Sequence, residues 1–337
     1  MSDDVQTLIE PLRERVGGYV RSTLGLRPDP RRLRALAELE AGSDATGSDA
    51  TGSDATGLAT GTEPVEAAAP ARRDRGLFGP GSATWKVHGS PAGLVGGLRA
   101  LLLQTMHPLA MAGVAQHSNY RADPFGRLQR TSAFVAATTY GTVAEAERAI
   151  EVVHRVHERV TGTAPDGRPY RANDPELLLW VHATEIDSFL RAHLRFDPDP
   201  LDAAGIDRYV EEMADIAHRL GSAPAPLDRA QLRAYFERVR PELRAGRHAR
   251  ETARFLLVPP IPNSARPAYG IVAAAAVGLL PTRVRRALWI PPLLPGMEPL
   301  LVRPAATALL RTLAWALAPP PELTQPSGGA AEASTVS

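Results

Sequence analysis

Thr142 opens the stretch that most restricts what this chain can become. Glu145 follows three residues later, completing the capping-box pattern in which two side chains satisfy free N–H groups at a helix start. The run from Val143 to Val160 contains neither Gly nor Pro, and Thr161-Gly162 supplies a stop. At about 100° per residue, Ala146, Ile150, Val153 and His157 fall on one stripe, with His154 at its edge. Glu145, Glu147, Arg148, Glu151, Arg155, Glu158 and Arg159 mostly occupy the other side. An imidazole on a buried stripe needs a partner for its ring nitrogens, because an unpaired polar group in a core is costly. Protein, water or a metal can serve.

Two flanking stretches extend the pattern. Upstream, Arg127 and Thr131 in GRLQRTSAF are four apart, so a helix places them on one face. A guanidinium and a hydroxyl aimed at the same space suit a ligand that develops negative charge. The plainer alternative is a helix salt bridge beside a threonine bonded back to its own helix. Downstream, Asn173-Asp174-Pro175 reads as a cap followed by a proline in the first helical position. The helix it opens carries Trp180 and His182.

Five stretches in series then carry a resemblance. HPLAMAGVAQHS (107–118), DPFGRLQRT (123–131), HERVTG (157–162), DGRPYRANDPELLLWVH (166–182) and YFERVRPEL (235–243) follow one another in that order. Together they resemble the MpaB-type oxygenase family, which includes the rubber-cleaving latex clearing proteins. The likeness runs from about Phe78 to Leu288. It implies an all-α fold: a single helical domain with a globin-like helical core around a haem pocket. It also implies a haem-b-dependent oxygenase that activates O₂ at a histidine-ligated iron and oxidises or cleaves an apolar, isoprenoid or polyketide-like substrate.

The same likeness assigns roles. His157 matches the family's His-x-x-Val-x-Gly pattern and is expected to be the axial, metal-binding ligand. His154 is then expected to bond a haem propionate or a nearby acid, and His182 to belong to the cofactor environment. Arg127 and Thr131 fall on the open face. In the rubber-cleaving branch a lysine beside the threonine can cap the iron, but here the neighbour is Arg130, which stays protonated and cannot ligate. No acid clearly matches the glutamate that acts as a base in that branch.

Composition narrows the chemistry further. The chain has no cysteine, which excludes disulfides, thiolate nucleophiles, thiolate haem ligation and iron–sulfur clusters. A formal net charge of +1 gives no reason to expect a nucleic-acid partner. Lys86 is the sole lysine, so the other fixed positive charges are arginines. Half of a di-iron carboxylate site is present in Glu151-x-x-His154, but no second Glu-x-x-His exists. A zinc site from His154, His157 and His182 stays open, without the His-Glu-x-x-His motif that would support it. Nucleotide-binding glycine motifs and a Gly-x-Ser-x-Gly elbow are absent. A non-enzymatic haem-binding or sensor protein, a haem peroxidase or an isomerase remain as alternatives.

The rest of the chain reads as architecture. Residues 1–75 are expected to hold a short N-terminal helix and a disordered linker, since residues 42–57 repeat Gly-Ser-Asp-Ala-Thr three times. The acidic start lacks the apolar core of a secretory signal, which points to the cytoplasm. The domain is expected over 76–318 and a disordered tail over 319–337. His88 reads as a surface or loop residue. His107 reads as a histidine bonding a carbonyl freed by Pro108. Arg99, Gln104, His107 and Pro108 break the apolar run at 91–118 into core helices, because a membrane span needs about 20 uninterrupted apolar residues. Further helices are expected over 207–220, 228–243, 271–280 and 305–318. The proline-interrupted stretch ALWIPPLLPGMEPLLVRP reads as lining an apolar cleft or contacting a membrane surface.

Overall fold

Side-chain caps set where five of the helices start. The computed structural model describes residues 76–118, 121 and 124–317, and of residues 124–129 the backbone alone. The arm expected over 1–75 and the tail over 319–337 lie outside the described residues. Of the described residues, 76–314 belong to one compact unit. Among the described residues the chain forms twelve α-helices and one two-stranded hairpin, so the all-α class is borne out.

Two helices organise the core, α2 (Gly93–Gln104) and α6 (Pro175–Phe196). Helix α6 starts where its sequence predicts: the Asp174 carboxylate accepts from the amides of Glu176 and Leu177, with Pro175 in the first turn. Glycines let α2 approach it closely. A Cβ on Gly96 would stand 2.9 Å from the Phe189 Cα, and one on Gly93 would meet the Phe189 ring at 3.2 Å. Arg99 lies across this contact and is only 1% exposed. Its Nη2 sits 2.9 Å from Asp187, its Nη1 donates to Ser188 at 2.6 Å, and its Nε donates to the Leu279 carbonyl at 3.0 Å. That carbonyl ends α10 (Arg266–Leu279), where a cation suits the negative end of the helix dipole.

Helix α1 (Ala83–Gly89) is held from a distance. Ser82 caps it locally, while Glu212 of α7 (Ala203–Arg219) accepts from Thr84 N and Thr84 Oγ1, each at 2.7 Å. Helices α4 (Pro124–Tyr140) and α5 (Val143–Glu158) pack as a hairpin joined only by Gly141 and Thr142. The capping box at the start of α5 is present in both directions: Thr142 N donates to Glu145 at 2.9 Å, and Glu145 N to Thr142 at 3.2 Å. Helix α5 stops at Glu158 and not at Val160. Thr161-Gly162 does not cap it; β1 (Thr161–Thr163) begins there and pairs antiparallel with β2 (Pro169–Arg171).

Between α3 (Pro108–His117) and this hairpin, Tyr170 Oη donates to Gln116 at 2.7 Å. The C-terminal third adds α8 (Arg229–Val239), α9 (Arg247–Leu257), α11 (Thr282–Ala287) and α12 (Arg303–Leu317), the last preceded by a π turn over Glu298–Val302. Helix α9 has no counterpart among the sequence expectations. Among the described residues one helix, Glu298–Leu317, is long and apolar enough to cross a membrane by length and composition.

The Arg99 network yields the first prediction. Arg99→Ala leaves Asp187 buried with half its partners gone and should lower unfolding stability by about 3–5 kcal/mol. Arg99→Met combined with Asp187→Leu should cost less than Arg99→Ala alone, because no buried charge is stranded. Urea unfolding of the three proteins measures both statements.

Candidate functional site

The two α5 histidines share a half-buried stripe but differ in what their rings touch. His154 Nε2 lies 3.1 Å from the Arg219 carbonyl, so that nitrogen carries the hydrogen and is occupied. The His154 backbone carbonyl also accepts from Asn173 Nδ2 at 3.4 Å. His157 Nδ1 is buried and has no hydrogen bond of good geometry, and neither has the buried Asn173 Oδ1. Burial, then the neighbouring His154, lowers the His157 pKa, and Asn173 partly opposes this. His157 is therefore a neutral imidazole above the ordinary histidine range.

Position 127 lies in the first turn of α4, and Thr131, one turn further, is exposed. Positions 127, 131, 134 and 138 share one helix face. Farther along it, Phe134 packs on the core and Thr138 is buried, its hydroxyl donating to the Phe134 carbonyl at 3.0 Å. The face that carries Arg127 and Thr131 is thus closed at the C-terminal end of α4 and open at Thr131. Because α4 and α5 form a hairpin, that open half runs beside the end of α5 that bears His154 and His157.

His182 stands apart from this pair. It is 6% exposed on α6, its Nε2 is buried without a partner, and its titratable neighbours include His218 and His88. Burial pushes its pKa down to about 4. His88 departs from its expected place on a surface loop. It lies on α1, with Nδ1 2.8 Å from Thr139 Oγ1 and Nε2 3.1 Å from Tyr209 Oη. Its ring stands 5.2 Å from that of Phe189, and burial drives its pKa down to about 4. Glu185, three residues after His182 and on the same face, has no hydrogen-bond partner among the described residues, and burial pushes it up to about 7.

His88 and Glu185 both retain accessible surface despite this strong desolvation. A carboxyl with a pKa near 7 can take up or release a proton at working pH. The sequence offered no sign of it, because Glu185 sits in an ordinary helical stretch and Tyr209 is 121 residues from His88.

His107 does not bond a carbonyl either. It caps α3 from a buried position, with Nε2 3.7 Å from Glu242, and its Nδ1 is unpartnered. No group of three or more His, Asp or Glu side chains among the described residues is arranged to hold a bare metal ion, so the zinc reading from His154, His157 and His182 gains no support. A cleft of about 550 Å³ lies elsewhere, between α6, the end of α10 and residues 285–298.

Comparison with known families decides the class. The catalytic domain of ER-bound oxygenase mpaB/B'/rubber oxygenase matches residues 85–318. The chain belongs to this family. No significant match was found among curated proteins or solved structures. The matched span makes the protein a member of an oxygenase, and hence oxidoreductase, family, and it contains Arg127, Thr131, His154, His157 and His182 together with Glu185. His88, from α1, falls within it as well.

The buried cluster contributes to the pH dependence of stability in this family member. His88 and His182 stay neutral in the fold but protonate in the unfolded chain below about 6.5, so they make stability fall as pH drops from there toward 4. Glu185 acts oppositely: its raised pKa makes stability fall as pH rises from about 4.5 to 7. Glu185→Gln removes the opposing contribution. Urea unfolding of this variant between pH 5 and 6.5 (roughly where both windows overlap) should show stability rising with pH more steeply, by about one proton, or ~1.4 kcal/mol per pH unit. An unchanged slope would mean that Glu185 titrates normally.

Proposed function

We propose that this oxygenase is haem-b-dependent, with His157 as the axial ligand, and that it oxidises or cleaves an apolar, isoprenoid or polyketide-like substrate. The observation that carries the ligand assignment is the His157 ring. It is neutral, it lies on the half-buried stripe of α5, and its Nδ1 is buried, so Nε2 would be the nitrogen offered to a metal. His154 fits a supporting place, because its Nε2 already binds the Arg219 carbonyl. These residues fit a histidine-ligated haem, which when bound would supply an iron centre for O₂ activation.

The chain's own contribution is placement. Arg127 and Thr131 lie one turn apart on the open end of the α4 face, beside the histidine end of α5. There a hydroxyl and a guanidinium act as donors fixed before negative charge develops on an oxygen atom. The guanidinium remains charged throughout, and it can hold but not move a proton. Glu185 supplies the one carboxyl in the neighbourhood of α6 whose pKa suits proton transfer.

One observation favours a second reading of the ligand. The His182 Nε2 is buried, neutral and without a partner, which is also what a metal-binding imidazole requires. Single variants separate the two. Purified protein should show a Soret band, and His157→Ala should lose most of the bound haem while His182→Ala keeps it. The reverse result moves the ligand to His182, and retention by both variants removes both.

Turnover tests the α4 pair. Arg127→Ala and Thr131→Ala should retain haem but slow O₂ consumption with an apolar alkene or aromatic polyketide by about 10²-fold. Thr131→Ser should keep most activity because the hydroxyl remains, whereas Thr131→Val should not. Arg127→Lys should fall between, since a point charge does not reproduce the fork. If every α4 variant matches wild type, a haem carrier without oxygenase activity becomes the better reading.

A further inference from the structure

Between α11 and α12 the chain runs through Trp289, Ile290, a set of prolines and Leu293, Leu294, Gly296 and Met297 into the π turn. Large apolar side chains point outward here. Trp289, Leu294, Leu300 and Leu301 are between 64% and 74% exposed, all within thirteen residues of chain (289–301). Trp289 also holds a backbone φ of 59°, a conformation unfavourable for a bulky residue. Its ring is backed by the Arg250 guanidinium at 4.1 Å. An exposed indole in a strained backbone, braced from behind, is a presented group.

The same segment borders the 550 Å³ cleft, which Leu293, Leu294, Gly296 and Glu298 line together with Arg191, Arg195 and Arg285. Two of these arginines are occupied. Arg191 binds Asp187 at 2.8 Å and Arg195 binds Glu298 at 2.6 Å. Arg285 has only Thr282 Oγ1 for its Nη2, and its Nε is buried without a hydrogen-bond partner. Arg286 and Arg303 add exposed positive charge on either side of the apolar segment. Apolar tips flanked by arginines and set beside an arginine-lined cleft match the layered chemistry of a bilayer surface, acyl chains under anionic phosphates.

We propose that residues 289–301 form a docking surface for an anionic phospholipid bilayer, with Trp289, Leu294, Leu300 and Leu301 entering the acyl boundary and Arg285 taking a lipid phosphate in the cleft. The indole sits at headgroup depth, where its apolar body and N–H are both accommodated. Leu300 and Leu301 lie in the π turn immediately before Arg303, so the charge stays at the phosphate layer while the leucines go below it.

Flotation of the full-length protein with phosphatidylcholine vesicles, with and without phosphatidylglycerol, tests this. Wild type should float with the anionic vesicles, and tryptophan emission should shift to the blue. Leu300→Asp and Leu301→Asp should each weaken binding by roughly tenfold or more. Arg285→Gln should weaken it by about fivefold, and on anionic vesicles only. Trp289→Phe should bind nearly as well but lose most of the emission shift. These positions are exposed or half-buried, so far-UV circular dichroism and the thermal midpoint should match wild type, which excludes misfolding. The proposal is overturned if wild type ignores anionic vesicles, or if Leu300→Asp floats like wild type. It is equally overturned if size-exclusion chromatography shows that the leucine variants split a dimer whose wild-type form does not bind vesicles, because a second copy would then cover this face.

Discussion

A single buried guanidinium ties the helical core together. Arg99 enters the contact between α2 and α6 at the place where Gly93 and Gly96 let the helices approach most closely, and it reaches the last carbonyl of α10. Burial pulls its proton affinity down, and Asp187 partly opposes this. Three helices are therefore fixed by a group that cannot lose its charge without an unsatisfied carboxylate remaining. Helix α6 inherits its rotation from that network. With Asp187 and Ser188 turned toward Arg99, the adjoining face carrying His182, Glu185 and Phe189 is directed at α1 and α7.

That rotation separates two carboxylates two residues apart. Asp187 has guanidinium partners in Arg99 and Arg191. Glu185 has none among the described residues and is pushed up to about 7. The same helix thus holds a structural acid and a candidate proton-transfer acid, and only the side each faces distinguishes them. Glu212 makes a comparable choice possible on α1: by taking the first amides of that helix it sets the angle at which His88 meets Thr139 and Tyr209.

What was legible in the sequence was local. Thr142 with Glu145, and Asp174 with Pro175, marked helix starts because a cap needs only three or four neighbouring residues. Helix α9 was missed although Ala249, Thr252, Ala253 and Leu256 recur at helical spacing, because its buried side is built mainly from small residues. The hairpin was missed because Gly162 resembles a helix stop, whereas its role is to admit the Tyr170 hydroxyl, which would stand 2.6 Å from a Cβ there. Periodicity put His157 on the stripe of α5 and His154 at its edge, and both are half-buried. Their difference lies in the Arg219 carbonyl, 65 residues away, and in the buried amide of Asn173. His88 was misplaced for the same reason, since both of its partners are distant in sequence.

The helix Glu298–Leu317 satisfies the length and hydropathy of a span, yet one side of it is packed against protein. Val302, Ala306 and Leu310 recur every four residues and are buried in the main core, which fixes one side of the helix to protein. Arg303 and Arg311 are exposed on its other sides. In a span these two would sit near the hydrocarbon centre, at a cost of about 2.5–3.5 kcal/mol each on insertion scales. At an interface they reach phosphate at no such cost. The exposed leucines gather at one end, in the π turn, where the extra residue per turn brings Leu300 and Leu301 outward together while Val302 stays inside. A spanning helix would distribute its apolar surface around and along its axis; this one concentrates it beside the arginine-lined cleft, on the end that is anchored to the core.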